Sequence, residues 1–154
     1  MVSMPVIVIG ADTPVGEATI KAVVAAAAEV RAFISDEERA DDLKAQGVKV
    51  ALGDVSDFSH VEAAALNCFC AILVAEAAAD GRERAFAVTQ QEVWAGWATA
   101  VRNAGLHRTI WVDTEGTGTG LPRPTPEVAI VVHADVEKAA AVVADLEGLQ
   151  SIPD

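Results

Sequence analysis

Unbroken apolar runs recur along the chain. The first is Val6-Ile7-Val8-Ile9, rich in β-branched residues and followed at once by Gly10. A run without polar alternation reads as a strand buried on both faces, the usual state of a parallel strand. Glu29 to Ile34, Val48 to Leu52, Cys68 to Ala75 and Arg108 to Val112 read as strands two to five, and Val128 to Val132 as a sixth. Helical stretches lie between them. The first covers Pro14 to Ala28, and the second opens at Ser35-Asp36-Glu37-Glu38, with Ser35 as its cap, and stops near Gly47. A short third, capped by Ser56 or Asp57, ends near Leu66; a long fourth runs from Glu83 to Ala104; a fifth covers Asp135 to Leu146. Capping side chains, acids in first turns and glycines after last turns mark these bounds. Phe86, Val93, Trp97, Ala100 and Val101 form one apolar side of the long helix. Ala77 to Gly81 reads as a loop. So does Asp113 to Glu127, with glycines at 116, 118 and 120 and prolines at 122, 124 and 126; it could act as a flap.

Strand and helix alternate with short connections, which predicts a parallel sheet with helices on both faces. The expected fold is α/β: one Rossmann-like, doubly wound domain over residues 1–154, strand order 3-2-1-4-5 with strand 6 beyond. The placement of residues 113–134, including an exchange of this tail between subunits, stays open.

Composition narrows the function. The chain is 52% hydrophobic with a mean hydropathy of +0.32, which suits a packed core rather than disorder. No apolar run reaches the roughly 18 to 20 residues that span a bilayer, and no basic stretch precedes Val6, so the expectation is a cytoplasmic protein with no membrane partner. The formal net charge is −12 and the isoelectric point about 4.5. Basic residues are few and scattered, which excludes a nucleic-acid partner held by clustered Lys and Arg. Cys68 and Cys70 would share one face of strand four as reduced, buried thiols, without the two further soft ligands a metal pair needs.

The chemistry concentrates between the first strand and first helix. Gly10 allows a tight bend and close approach of a ligand, and Gly16 lets the helix pack near the strand. Thr13 stands where the G-x-x-G-x-x-G spacing has its middle glycine. Such a turn aims the helix N-terminus, with its free N–H groups, at a pyrophosphate. A plain βα turn without a ligand is the competing reading.

Val6 to Gly16, Val30 to Ile34, Gly53-Asp54-Val55-Ser56-Asp57 and Ala104-Gly105-Leu106-His107-Arg108-Thr109-Ile110-Trp111-Val112 together resemble the atypical short-chain dehydrogenase/reductase proteins. The NmrA-like, NAD(P)-binding branch is the most similar, and the resemblance covers residues 5–116. It implies that Gly10, Ala11, Asp12, Thr13, Val15 and Gly16 form the pyrophosphate loop. Ser35 falls where NADP-preferring relatives carry an arginine for the 2′-phosphate. Asp36, 20 residues after Gly16, falls where an acid meets the ribose hydroxyls. Arg39 and Arg31 are candidates for a phosphate contact. Asp54 and Val55 would flank the adenine, and Ala75 and Glu76 would sit beside the nicotinamide ribose. Outer helices build dimers in this family, so a homodimer is expected.

The departures from the family pattern bear on activity. Reductases of the common type use a Tyr and a Lys four residues later, but this chain has no Tyr. Asp113-Thr114 stands where a Ser pair is frequent, leaving Thr114 and Asp113 as the catalytic candidates, without a proton donor. The sequence also stops before the substrate region of longer members. These losses fit a sensor or regulator of the dinucleotide. A small NAD(P)-dependent oxidoreductase acting on a small-molecule substrate, and an interaction domain with no nucleotide, are the other readings.

Charge at the carboxyl edge refines the cofactor. Asp12, Asp36, Asp54, Glu76 and Asp113 all fall there if the strands are parallel. Two unit charges about 4 Å apart repel by about 1 to 4 kcal/mol in a wet site. NAD is therefore expected over NADP. A cation held by these acids with His133 lacks any supporting ligand spacing, so no metal is expected. Asp12 and Asp54 also mimic a phosphorelay receiver, which needs a second acid after strand one and a lysine after strand five; neither is present. His60, His107 and His133 are too scattered for a dyad. Trp111 reads as core. Of Trp94 and Trp97, three apart on one helix, one would face the sheet and the other a subunit contact.

Overall fold

In the structure, a computed structural model, residues 5–26, 29–79 and 89–153 are described. The six apolar runs become β1 (Val6–Ile9), β2 (Val30–Ile34), β3 (Lys49–Leu52), β4 (Cys70–Val74), β5 (Arg108–Asp113) and β6 (Glu127–Val132). They form one sheet in the order β3-β2-β1-β4-β5-β6, and every pairing is parallel. This is the expected topology. Every residue of β1, β4 and β5 is buried, which explains the unbroken apolar sequence of β1 and β4, whereas β3 is a partly exposed edge.

Among the described residues, five α-helices cover the sheet: α1 (Pro14–Val24), α2 (Ala40–Ala45), α3 (Phe58–Ala65), α4 (Gln90–Asn103) and α5 (Val136–Glu147). α1 packs on α5 and α3 packs on α4. Trp97 of α4 stacks on Trp111 of β5, centroids 6.1 Å apart, and Trp94 meets the same ring edge-on at 6.3 Å. All three indoles are buried, and each N–H donates to a carbonyl: Trp94 to Ala75, Trp97 to Val55, Trp111 to Pro122. Neither Trp94 nor Trp97 is left for a subunit contact, because the aromatic trio fills the space between α4 and β5. None of the helices among the described residues is long and apolar enough to cross a membrane.

Several boundaries differ from expectation. α1 stops at Val24, and residues 27–28 lie outside the described residues, as do Glu83 and Phe86 of the long helix; α4 begins at Gln90, capped by Thr89. Ser35 does not cap the second helix. Asp12 holds its amide in the extended chain, and Asp36 caps a 3-10 turn, Glu37–Arg39, that leads into α2. Asp57, not Ser56, caps α3. Ala75–Ala79 forms a 3-10 turn where a loop was expected from Ala77. Cys68 lies in the turn before β4, its amide bonded to the Ala65 carbonyl, so it shares no strand face with Cys70. Both thiols are buried and unbridged, and burial raises both pKa values.

β5 connects to β6 through residues 114–126 without a helix, and β6 returns to the sheet beside β5. At the amino edge Arg108 is buried. Its Nε donates to Glu127 at 2.7 Å, and its Nη1 donates to the Leu146 and Glu147 carbonyls at 3.2 and 2.8 Å. The guanidinium lies 5.2 Å from the Phe69 ring centroid. A buried cation thus satisfies the last carbonyls of α5, where the helix dipole favours positive charge.

Candidate functional site at the carboxyl edge

Because all strands run the same way, the segments that follow their C-terminal ends converge on one edge. β1 is central and pairs with β2 on one side and β4 on the other, so the connections leave it in opposite directions. That is the switch point where open α/β sheets bind ligands.

The turn from β1 to α1 lies at this point. Gly10 has φ +89°, and a Cβ there would lie 2.6 Å from the Ala77 Cβ. A Cβ on Gly16 would lie 2.1 Å from the Gly10 carbonyl oxygen. Both glycines are thus required by the packing of the turn itself. Thr13 caps α1: its hydroxyl donates to the Gly10 carbonyl at 2.7 Å and accepts from the Gly16 amide at 3.0 Å. The side chain that replaces the middle glycine is folded into the bend rather than out of it. Ala11 and Val15 are fully buried, so only their backbone can face a ligand. Pro14 at the first helical position has no N–H, which makes the Val15 amide the first at this terminus that the cap does not use. The bend keeps a backbone mouth at the positive end of α1, a fit to an anionic diphosphate.

Asp12 points away from that mouth, toward β2. Its Oδ2 accepts the amides of both Ser35 and Asp36 at 3.1 Å. The Asp36 carboxylate accepts the Glu38 amide. Arg39 is ion-paired with Glu17 of α1, and Arg31 is engaged by Glu29 and the Ala64 and Leu66 carbonyls. After β3, Asp54 accepts both the amide and the hydroxyl of Ser56, while the Val55 carbonyl is bonded to Trp97. The acids at this edge are therefore tied into the backbone that carries them.

Across the switch point, β4 and β5 end in a clamp. Glu76 accepts the Thr114 amide at 3.0 Å through one oxygen and the Thr114 hydroxyl through the other. Asp113 is buried and accepts the amides of Glu115, Gly116 and Gly118 at 3.1, 2.7 and 3.3 Å, which folds the following loop around it. Glu76, Trp94, Asp113 and loop residues 115–119 line an adjoining cleft of about 340 Å³. Sequence reasoning missed Trp94 and Gln90 as cleft walls, since an aromatic on an apolar helix side reads as core. His133 accepts the Asp135 amide, and no group of three or more His, Cys, Asp or Glu among the described residues could hold a metal ion.

A doubly wound parallel sheet with a glycine turn at its switch point defines a Rossmann-type nucleotide-binding protein. The chain belongs to the NAD(P)H-binding family, whose model matches residues 10–150. No curated protein matches the sequence. Among solved structures it is similar to the Citrobacter sp. triphenylmethane reductase complexed with NADP(H), at TM-score 0.60 and 19% identity over 93% of this chain and 46% of that one. It is similar to ChuY, an anaerobillin reductase from Escherichia coli O157:H7, at TM-score 0.68 and 19% identity over 96% and 92% of the two chains. The NADPH-dependent quinone oxidoreductase of Escherichia coli, complexed with NADPH, gives TM-score 0.58 and 15% identity over 94% and 46%. The chain thus spans about half the length of two of these structures and nearly all of the third.

Proposed function

We propose that this protein binds a nicotinamide dinucleotide along the carboxyl edge and does not reduce carbonyl substrates by the Tyr–Lys route. The diphosphate would lie at the mouth of α1, on the backbone of Gly10 to Gly16. The ribose hydroxyls would face Asp36 and Asp12, the adenine would lie by Asp54 and Val55, and the nicotinamide would lie by Ala75 and Glu76. The acids along this edge favour NAD over NADP on charge. The observation that carries the reading is the Glu76–Thr114 clamp beside an intact glycine turn. Thr114, the hydroxyl the resemblance offers for catalysis, gives its hydrogen to Glu76. A bound nicotinamide supplies a hydride, but these residues supply no proton to accompany it. Sensing the dinucleotide, or presenting it to a partner, suits such a site better than carbonyl turnover. We infer a cytoplasmic location and a homodimer whose interface does not use Trp94 or Trp97, both buried.

A second reading, a small oxidoreductase, is favoured by the cleft beside Glu76, Trp94 and Asp113, which has room for a small substrate next to the nicotinamide end. Calorimetric titration with NADH, followed by NADH oxidation assays on a panel of aldehydes, ketones and quinones, tests both. Binding without oxidation is expected. Turnover of any carbonyl at an enzyme-like rate favours the oxidoreductase, and absence of binding removes both.

A further inference from the structure

We infer that Asp12 is a specificity-determining residue that makes this protein reject the 2′-phosphate of NADP(H), in contrast to the NADP(H)-complexed structures it resembles. The inference rests on the dinucleotide reading above and deepens it.

Two consecutive amides, of Ser35 and Asp36, point from the end of β2 into the region where the ribose of a dinucleotide would lie. A pair of adjacent N–H groups is a natural seat for an anion. Here the seat is taken by the chain's own carboxylate: Asp12 Oδ2 accepts both amides at 3.1 Å. The contact spans 23 and 24 residues, so the glycine turn after β1 and the end of β2 jointly build it. A ribose with free hydroxyls suits such a seat, because a hydroxyl donates to a carboxylate. A 2′-phosphate does not suit it. It would bring its charge against Asp12 and Asp36 together and find the amides already used.

The two candidate arginines are engaged elsewhere. Arg39 follows Asp36 by three residues, but its guanidinium is paired with Glu17 on α1. Arg31 is on β2 and is held by Glu29 and two carbonyls at the C-terminal end of α3, of Ala64 and Leu66. An occupied amide pair and an engaged arginine are separate observations, and both disfavour the same phosphate.

The test is isothermal titration of the full chain with NADH and NADPH, for the wild type and Asp12→Asn. The asparagine keeps an oxygen that can accept the same two amides and removes only the charge. The wild type should bind NADH more tightly than NADPH. Asp12→Asn should narrow that ratio about tenfold, chiefly by strengthening NADPH. Glu17→Gln, which releases Arg39, should shift the ratio the same way and carries the test if Asp12→Asn does not fold. A wild type that binds NADPH at least as tightly as NADH overturns the inference. So does a variant that changes both affinities equally or leaves the ratio unmoved. A wild type that binds neither nucleotide refutes the dinucleotide reading itself, and the specificity inference falls with it.

Discussion

Gly10→Ala adds one methyl group at the bend on which the site is built. The new Cβ would lie 2.6 Å from the Ala77 Cβ and 3.0 Å from the Val74 Cβ. Both neighbours are fixed directly to backbone, so neither can rotate away. An L-residue must also adopt the φ of +89° that Gly10 holds, at about 1 to 2 kcal/mol. Overpacking adds about 1 to 3 kcal/mol. The expected loss is therefore about 2 to 5 kcal/mol, or about 5 to 20 °C in Tm for a chain of this size. Urea unfolding followed by the fluorescence of the three buried tryptophans measures it. The midpoint should fall by about 1 to 2 M with an unchanged slope. A loss below about 1 kcal/mol would mean that the turn after β4 is not packed against the glycine bend, and the geometry of the site would need revision. Larger substitutions at Gly10, such as Gly10→Val, should damage the fold as well as any binding, so they cannot isolate the ligand site. Asp12, on the rim of the site, can.

Two further predictions concern the amino edge. Arg108→Met should destabilise by about 3 to 5 kcal/mol in thermal unfolding, because it takes the buried guanidinium from Glu127 and from the Leu146 and Glu147 carbonyls; a change within about 0.5 kcal/mol would refute the clamp. Stability should also fall on acidification below about pH 5. Lys49 and then Arg31 hold Glu29 below the ordinary carboxylate range. Burial raises Glu127, but hydrogen bonds from Arg108 and the Ile152 amide outweigh it and leave the group lowered. Stabilisation from a lowered carboxylate is present above its unfolded pKa and lost as pH falls through the folded one. Glu147, raised by burial against the opposing pull of Arg108, acts in the opposite sense, stabilising at low pH and losing that effect as pH rises. A Tm measured from pH 7 to 3 should drop for the wild type, and the drop should be shallower in Lys49→Met, which removes the largest cause acting on Glu29; equal slopes would refute it.

The strands were legible because burial on both faces forces an unbroken apolar code, as in Val6–Ile9 and Cys70–Val74. The glycine turn was legible because only glycine fits at Gly10 and Gly16. Helix ends were less so. Ser35 reads as the cap, but Asp12, 23 residues before it, holds its amide, and Asp36 caps the turn instead. Trp94 and Trp97 show the same gap. Their spacing marks a helix side, but only the position of Trp111 on the neighbouring strand explains why both are buried.

By itself the sequence determined the order of elements, the parallel sheet and the place of the glycine turn, since these follow from local periodicity, turn chemistry and the short connections between elements. The tertiary structure alone decided what each polar group does. Asp12 meets Ser35 and Asp36, Arg39 meets Glu17, and Glu76 meets Thr114 because the sheet brings distant segments to one edge. A charged residue's role depends on which partner reaches it first in three dimensions, and chain spacing does not encode that.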